Sequence, residues 1–400
     1  MGDEILATIA GAGVVGCAIA YELSMVLNGN IVVVERNNSV KGENQSSRNS
    51  GVIHAGIFYD KSFGPLKSRF CVEGNRMLYE FCEKNKVPYK KCGKLVVATS
   101  KLEEEYLEDV IRIAHENGVE TIKILDKKQV KVIEPNINAV SAIHVPGSGI
   151  VEPTGLVEAF YELAEDNGVI FLTSNEVKAI SPDKKDGFEV EISSGNENER
   201  FKTRIFINSA GLYSDDVAKM LNPGSIYNME PVKGEAAKFF PSRHSDINLS
   251  GASIYPVPFG YLPDGERLNV PFKEFLSLFK QHKVTKSVGV HISPTFDTAG
   301  TFMIGPAYSK PENRQDYKPS RREEYFLEKV LPFLPGIQAD DVSLYQVGIR
   351  AKLKDHYDFV IEKDRYYPAF INLIGIDSPG LTSSPAIAKY VSSIARDILR

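Results

Sequence analysis

The apolar positions at 5–10 run without interruption, stop at a cluster of glycines, and resume over 17–26 at helical spacing. The chain therefore opens as a strand, a tight turn and a helix. A second apolar run at 31–34 ends in Glu35 and predicts another strand. Residues 37–50, NNSVKGENQSSRNS, carry no apolar period and predict a loop. Leu66, Phe70, Gly74, Met77, Leu78 and Phe81 share one face of a predicted helix over 67–84. A strand at 95–99, a surface helix at 102–117 ended by Gly118, and a short helix at 127–133 before Pro135 follow. After a Gly- and Pro-punctuated stretch at 143–153, Thr154 stands as the expected cap of a helix over 155–167. Short strands are predicted at 170–173, 176–180, 188–192 and 203–207, with SSGNENER as the turn before the last. The pattern suggests a three-stranded meander returning to a parallel sheet. That last strand ends in Asn208-Ser209-Ala210-Gly211, with a helix starting near Tyr213.

From 229 to 306 the pattern changes to β-branched and aromatic runs at 238–240, 253–257, 287–292 and 301–304, which predict antiparallel strands. A helix at 321–330 and strands at 342–350, 359–362 and 370–374 come next. A glycine turn from Gly375 to Thr382 then leads into a final helix over 384–399. The expected fold class is mixed α/β: a Rossmann-like nucleotide domain with an interleaved antiparallel-sheet substrate domain. The nucleotide domain takes 1–87, 145–228 and 337–400, and the substrate domain 88–144 and 229–336. No internal repeat is visible.

Composition narrows the function classes. A net charge of −5 without a basic run argues against nucleic-acid binding. The opening stretch to Tyr21 is short and glycine-rich for a membrane span, and no basic segment precedes it as in a secretory signal. Cys17, Cys71, Cys82 and Cys92 lack metal spacing, so reduced thiols in a cytoplasmic protein, and no metal, are expected.

The candidate chemistry starts at Gly11, Gly13 and Gly16, which form G-x-G-x-x-G around Val14 and Val15 between a strand and a helix. In such a turn the glycines admit a pyrophosphate to the backbone and to the helix N-terminus. Glu35, about 20 residues further on, stands where the fingerprint expects a carboxylate for ribose hydroxyls, with Arg36 beside it. A carboxylate there repels a 2′-phosphate, so the nucleotide is not NADP-like. Ser46, Ser47, Asn49, Ser50 and Gly51 offer polar groups to a cofactor, and Val177 is counted with them. Ala210-Gly211 and Gly380-Leu381-Thr382 are two further small-residue turns. Three separated turns suit one extended cofactor, FAD rather than NAD, since no second G-x-G-x-x-G is present. His54 stands between glycines just after the polar loop, a candidate functional histidine.

The segments NSGVIHAGIFY, CVEGNRMLYEFC, CGKLVVATS, KGEAAKFF, IYPVP, GVHISP, VGIRAKLKDHYDFVI and NLIGIDSPGLTSSPAIA resemble the L-2-hydroxyglutarate dehydrogenase/oxidase group. That group belongs to the glycine-oxidase-like (D-amino-acid-oxidase superfamily) FAD oxidoreductases. The resemblance covers nearly the whole chain and implies a two-lobed flavoprotein with the flavin ring between the lobes. It also implies that Arg350 holds a substrate carboxylate beside the flavin, in keeping with the bidentate geometry of a guanidinium. Tyr255, Lys233 and His291 match further family positions near the pocket. The implied reaction is oxidation of a 2-hydroxy acid, leading candidate L-2-hydroxyglutarate. Hydride passes to flavin N5 while a neutral histidine, His54 first and His291 second, takes the hydroxyl proton. Glycerol 3-phosphate or an amino acid is the alternative substrate, and a non-catalytic flavin-binding module the alternative class. The electron acceptor is oxygen, a quinone or a protein. The sequence departs from the group at 259–288, a long insert in which Phe272, Phe275, Leu276 and Phe279 follow helical spacing among lysines. This amphipathic helix is expected to pack on its own domain or cover the active-site mouth. A weak contact with the inner face of a membrane is the alternative.

Overall fold

The strand Ile5–Ala10 lies inside an eight-stranded sheet, paired in parallel with Asn30–Val34 on one side and Glu197–Asn208 on the other. Such strands are covered on both faces, which is why they read as continuous Val and Ile runs. The structure is a computed structural model and describes residues 5–27, 29–42, 44–184, 186–195, 197–241, 243, 247–262 and 266–400. Ile170–Leu172 extends the sheet beyond Asn30–Val34, and Phe370–Ile374 pairs in parallel with Glu197–Asn208. Asn175–Pro182 and Phe188–Ser194 complete the expected meander. Helices Val14–Ser24, Pro65–Asn85, Pro153–Asp166 and Gly380–Leu399 bury their apolar stripes in one core, while Ser214–Leu221 packs into a second core with Val32, Val34 and Phe206.

The second eight-stranded sheet runs in the order 342–350, 232–239, 302–309, 291–294, 253–256, 94–98, 141–145 and 123–126. It is antiparallel except where Ser253–Pro256 meets Lys94–Ala98 in parallel. Alternation along Lys94–Ala98 divides its two faces. Leu95 and Val97 enter a core with Phe326 and Val330, whereas Val96 and Ala98 join Tyr106, Tyr255 and Phe275.

Several boundaries differ from the expectation. Strand Val342–Arg350 pairs with Val232–Phe239 in the second sheet instead of belonging with the nucleotide lobe. The predicted strand at 287–292 is broken by Gly289 at φ +66° into Thr285–Ser287 and His291–Pro294. The helix Pro153–Asp166 is capped by the Glu152 carboxylate, which accepts from the Thr154 and Gly155 amides, so Thr154 lies inside it. The last helix begins at Gly380, and the positive-φ glycine of its turn is Gly375 at +70°.

Within the insert, Phe259–Tyr261 pairs with Thr285–Ser287, and Phe272–Lys280 is a helix. Phe275 is buried, and Phe272, Leu278 and Phe279 pack into the core that holds Tyr106 and Phe259. The apolar face is thus turned onto its own domain, with Lys273 and Lys280 outward. Among the described residues no helix is long and apolar enough to cross a membrane.

Candidate active site

A Cβ on Gly16 would lie 1.9 Å from the Gly11 carbonyl oxygen, and one on Gly11, itself at φ +95°, 2.7 Å from that of Ser209. The loop can therefore press this closely on the sheet only as glycine. It delivers the N-terminus of helix Val14–Ser24, capped by Gly13 without a side-chain bond. The Val14 amide donates to Ser46 Oγ at 2.9 Å. Buried Glu35 accepts from the Ala12 amide at 2.8 Å and the Asn37 amide at 2.9 Å, so its carboxylate is fixed against the glycine turn. The Arg36 guanidinium lies over the Tyr213 ring at 3.8 Å, next to the Ala210-Gly211 turn.

Gly13, Val14, Val15, Gly16, Ser46, Asn49, Ser50 and Gly211 line one part of a continuous cleft. Gly380, Leu381, Thr382, His54, Tyr255, His291 and Arg350 line the rest. An amide-rich helix start, a fixed acid and a long cleft suit an extended dinucleotide.

The Thr382 hydroxyl fixes the His54 backbone, accepting from its amide at 3.0 Å and donating to the Val52 carbonyl at 3.2 Å. Asn75 donates to the His54 carbonyl at 2.9 Å. On the His54 ring, Nε2 lies 3.4 Å from Ser378 Oγ, which meets the Tyr59 hydroxyl at 3.0 Å. Nδ1 is buried without a partner among the described residues. Burial, and then the neighbouring Lys94, His291 and Arg350, which disfavour a further positive charge, hold this imidazole well below its ordinary pKa, so it is a free base at neutral pH.

Arg350 ends the edge strand of the second sheet. It donates from Nη1 to the Tyr308 hydroxyl at 2.9 Å and from Nη2 to Asp377 Oδ2 at 2.7 Å. Asp377 takes Lys67 Nζ on its other oxygen at 2.7 Å. Burial opposes the Asp377 charge, but the two cations outweigh it and keep the carboxylate ionised. The fork itself stays partly open, with 34% side-chain exposure, and Nη1 and Nη2 each keep a second N–H beyond the bonds to Tyr308 and Asp377. Donors remain for an incoming anion.

Tyr255 and His291 stack in the cleft wall with ring centres 3.8 Å apart. Burial pushes the His291 pKa down to about 3, helped by the Lys94 charge and opposed by a bond to the Gly289 carbonyl. Lys94 stands behind this pair, 1% exposed.

Some sequence candidates lie elsewhere. Lys233 is buried in an ion pair with Asp316 at 3.0 Å and does not line the cleft, which corrects its assignment to substrate binding. Ser47 closes its own loop, accepting from the Gly42 amide at 3.0 Å. Gly51, at φ +69°, lies against the Val151 carbonyl and serves chain packing. Val177 is buried in the core beside Val34 and Val217, outside the cleft lining. Gly11, Glu35, Arg36 and Ala210 shape the glycine-turn region without lining the cleft. Sequence reasoning passed over Asp377, Ser378 and Lys94 as site residues, although all three stand inside the motifs quoted for the resemblance. Lys67 and Tyr308 carried no signal, since only the tertiary fold brings them to Asp377 and Arg350.

The family model described as FAD dependent oxidoreductase (DAO) matches residues 7–394. The mitochondrial L-2-hydroxyglutarate dehydrogenase of Caenorhabditis elegans is 30% identical over 97% of this chain and 92% of its own. The glycerol 3-phosphate dehydrogenase of Caloramator mitchellensis is 32% identical over 98% of this chain and 74% of its own. Among solved structures, L-alpha-glycerophosphate oxidase from Mycoplasma pneumoniae with FAD bound superposes with a TM-score of 0.83 at 24% identity, covering 98% of this chain and 94% of that one. Together with the glycine turn, the fixed acid and the shared cleft, these matches show that the chain belongs to the DAO family of FAD-dependent oxidoreductases, with FAD as its cofactor.

Proposed function

We propose that the protein oxidises a 2-hydroxy acid to the 2-oxo acid, with L-2-hydroxyglutarate as its substrate. The observation that carries this reading is a buried, neutral His54 in the same cleft as a charged, partly open Arg350. The named activity of the Caenorhabditis elegans relative supports the choice of acid.

The glycine turn and the start of helix Val14–Ser24 would hold the pyrophosphate of FAD, and Glu35 the adenosine ribose. Ser46, Asn49, Ser50, Gly211 and the 380–382 turn would take the remainder. FAD, when bound, supplies the hydride acceptor. Arg350 binds the carboxylate next to the hydroxyl-bearing carbon with the donors that Asp377 and Tyr308 leave free. Asp377, anchored by Lys67, fixes the plane of the guanidinium. His54 takes the hydroxyl proton at Nε2, the nitrogen that meets the cleft-lining Ser378, because Nδ1 is sealed in protein. Tyr255 and His291 close the wall and exclude water.

Anaerobic mixing with a panel of hydroxy acids, glycerol 3-phosphate and amino acids tests this reading. L-2-hydroxyglutarate should bleach the flavin fastest, and His54→Ala should retain FAD yet lose bleaching. Wild-type bleaching rates in His54→Ala would remove the base assignment. The Caloramator mitchellensis relative makes glycerol 3-phosphate the second reading, and faster bleaching by it would replace the first. Reoxidation by oxygen, a quinone or a protein acceptor is separated by following the reduced enzyme with each. The inward packing of Phe275 and Phe279 favours an insert that serves the cleft over one that rests on a membrane.

A further inference from the structure

The reaction as proposed leaves Lys94 without a task, yet its placement is costly. Its Nζ is buried with no hydrogen-bond partner among the described residues. It lies 3.9 Å from the centre of the Tyr255 ring and 5.3 Å from that of Phe58, both cleft-lining aromatics. The titratable groups acting on it to favour its charge are Cys71, from helix Pro65–Asn85, and Cys92, just before its own strand. Burial raises the pKa of both thiols, so neither is a counter-ion at neutral pH. An ammonium buried without an opposite charge is strongly disfavoured, whereas a methionine would fill the same space without that cost. The aromatic face recovers only part of it.

We propose that Lys94 is a positioning residue for this oxidation, a buried cation seated on Tyr255 that fixes the Tyr255–His291 stack beside His54. The inference rests on the proposed role of His54. Tyr255 is held between the lysine on one strand and the His291 ring on another, so this part of the cleft wall has one arrangement. The same charge acts on both histidines. Burial is the leading cause of their lowered pKa values, and Lys94 adds to it in each case. The other groups facing His54 are Arg350, with Asp377 and Lys67 behind it, His291, and the Tyr59 and Ser378 hydroxyls. None of these replaces a positive charge behind Tyr255. Lys94 itself has its pKa lowered to about 7 by burial, so its charge rises as the solution turns acidic. It therefore opposes protonation of His54 most strongly in the range where an ordinary imidazole would be lost as a base.

The test uses the FAD-loaded enzyme with histidine-selective ¹³C labelling. The chain has 7 histidines, and His54→Ala and His291→Ala assign the two signals of interest. In wild type both should stay neutral well below pH 6.5. In Lys94→Met their titrations should move up by about one pH unit, and the acid limb of substrate-driven flavin reduction should move with them. Lys94→Arg, which keeps the charge, should titrate nearer to wild type. Unchanged histidine titrations in Lys94→Met overturn the proposal. If that variant does not fold, Lys94→Gln takes its place in the same measurement. The imidazole signals judge Lys94, while flavin reduction in His54→Ala judges the base, so the two failures are distinguishable.

Discussion

At the scale of the residue, the site is organised by burying groups that water would otherwise protonate. His291 titrates at about 3 in the fold against 6.5 for a free imidazole, mainly because it is buried. A lowered histidine pKa means that the unfolded chain binds the extra proton first. The fold is therefore unaffected above 6.5 and loses stability as pH falls from 6.5 towards 3. At about 1.4 kcal/mol per pKa unit, this residue alone is worth at most about 5 kcal/mol across that window. His291→Phe, which keeps a ring on Tyr255, should lose less stability than wild type between pH 7 and pH 4.5 in urea unfolding. Parallel losses in the two proteins would contradict the burial of a neutral imidazole. Arg350 and Asp377 make the complementary case, charges kept charged by each other and by Lys67. Asp377→Asn should raise KM about tenfold or more by freeing the guanidinium plane, with FAD content unchanged, which steady-state kinetics and the flavin spectrum together read. Two lysines show where the sequence ran out. Lys233 and Lys94 each sit beside a glycine, and nothing local marks one as structural and the other as part of the site. Asp316 reaches Lys233 from 83 residues away and makes it structural, whereas among the described residues no such acid reaches Lys94.

At the scale of the element, the strongly patterned parts were legible. The parallel strands read as unbroken β-branched runs because both faces are covered, and the glycine turn read as a nucleotide cradle because its spacing leaves no room for Cβ atoms. Element ends were harder, since they depend on which side chain satisfies the first free amides. Glu152 does this for helix Pro153–Asp166, where the pattern pointed to Thr154. Gly74 shows how helix packing reaches the site. A Cβ there would lie 2.3 Å from the Thr382 carbonyl, where helix Pro65–Asn85 crosses helix Gly380–Leu399. Thr382 in turn holds the His54 amide. Gly74→Ala should therefore cost about 1–3 kcal/mol and lower the FAD occupancy of the purified protein. Gly118→Ala is the control. It strains a positive φ but meets nothing within 4 Å, so it should lose stability alone. Equal FAD occupancy in wild type and both variants would separate the helix crossing from the site.

At the scale of the whole molecule, the cleft exists because two sheets contribute to it from opposite sides and are tied there by charge. Arg350 comes from the edge strand of the second sheet, and Asp377 follows the last strand of the first. The insert closes the remaining side. Phe275, Leu276 and Phe279 face the cleft, and the Phe279 ring meets Phe63 with centres 5.3 Å apart. Phe63 also meets Tyr357, which leads into a strand of the first sheet, at 6.3 Å, so insert, loop and nucleotide lobe touch across the mouth. Arg112 adds ion pairs to Asp60 and Asp109 at 2.7 Å each, and Asp109 also pairs with Lys286 from the insert. A mouth closed by two rings and a short charge network opens at modest cost, which suits a lid that admits substrate and then excludes water. Phe279→Ala removes the ring without touching Arg350 or His54. It should raise KM several-fold, leave the limiting rate of flavin reduction within about twofold, and make flavin fluorescence more quenchable by iodide. A fall in the limiting rate with unchanged iodide quenching would show instead that the ring acts on the chemistry and not on access. Because Phe279 spends its apolar surface on this contact, the same variant should behave like wild type in flotation with anionic vesicles, both remaining unbound.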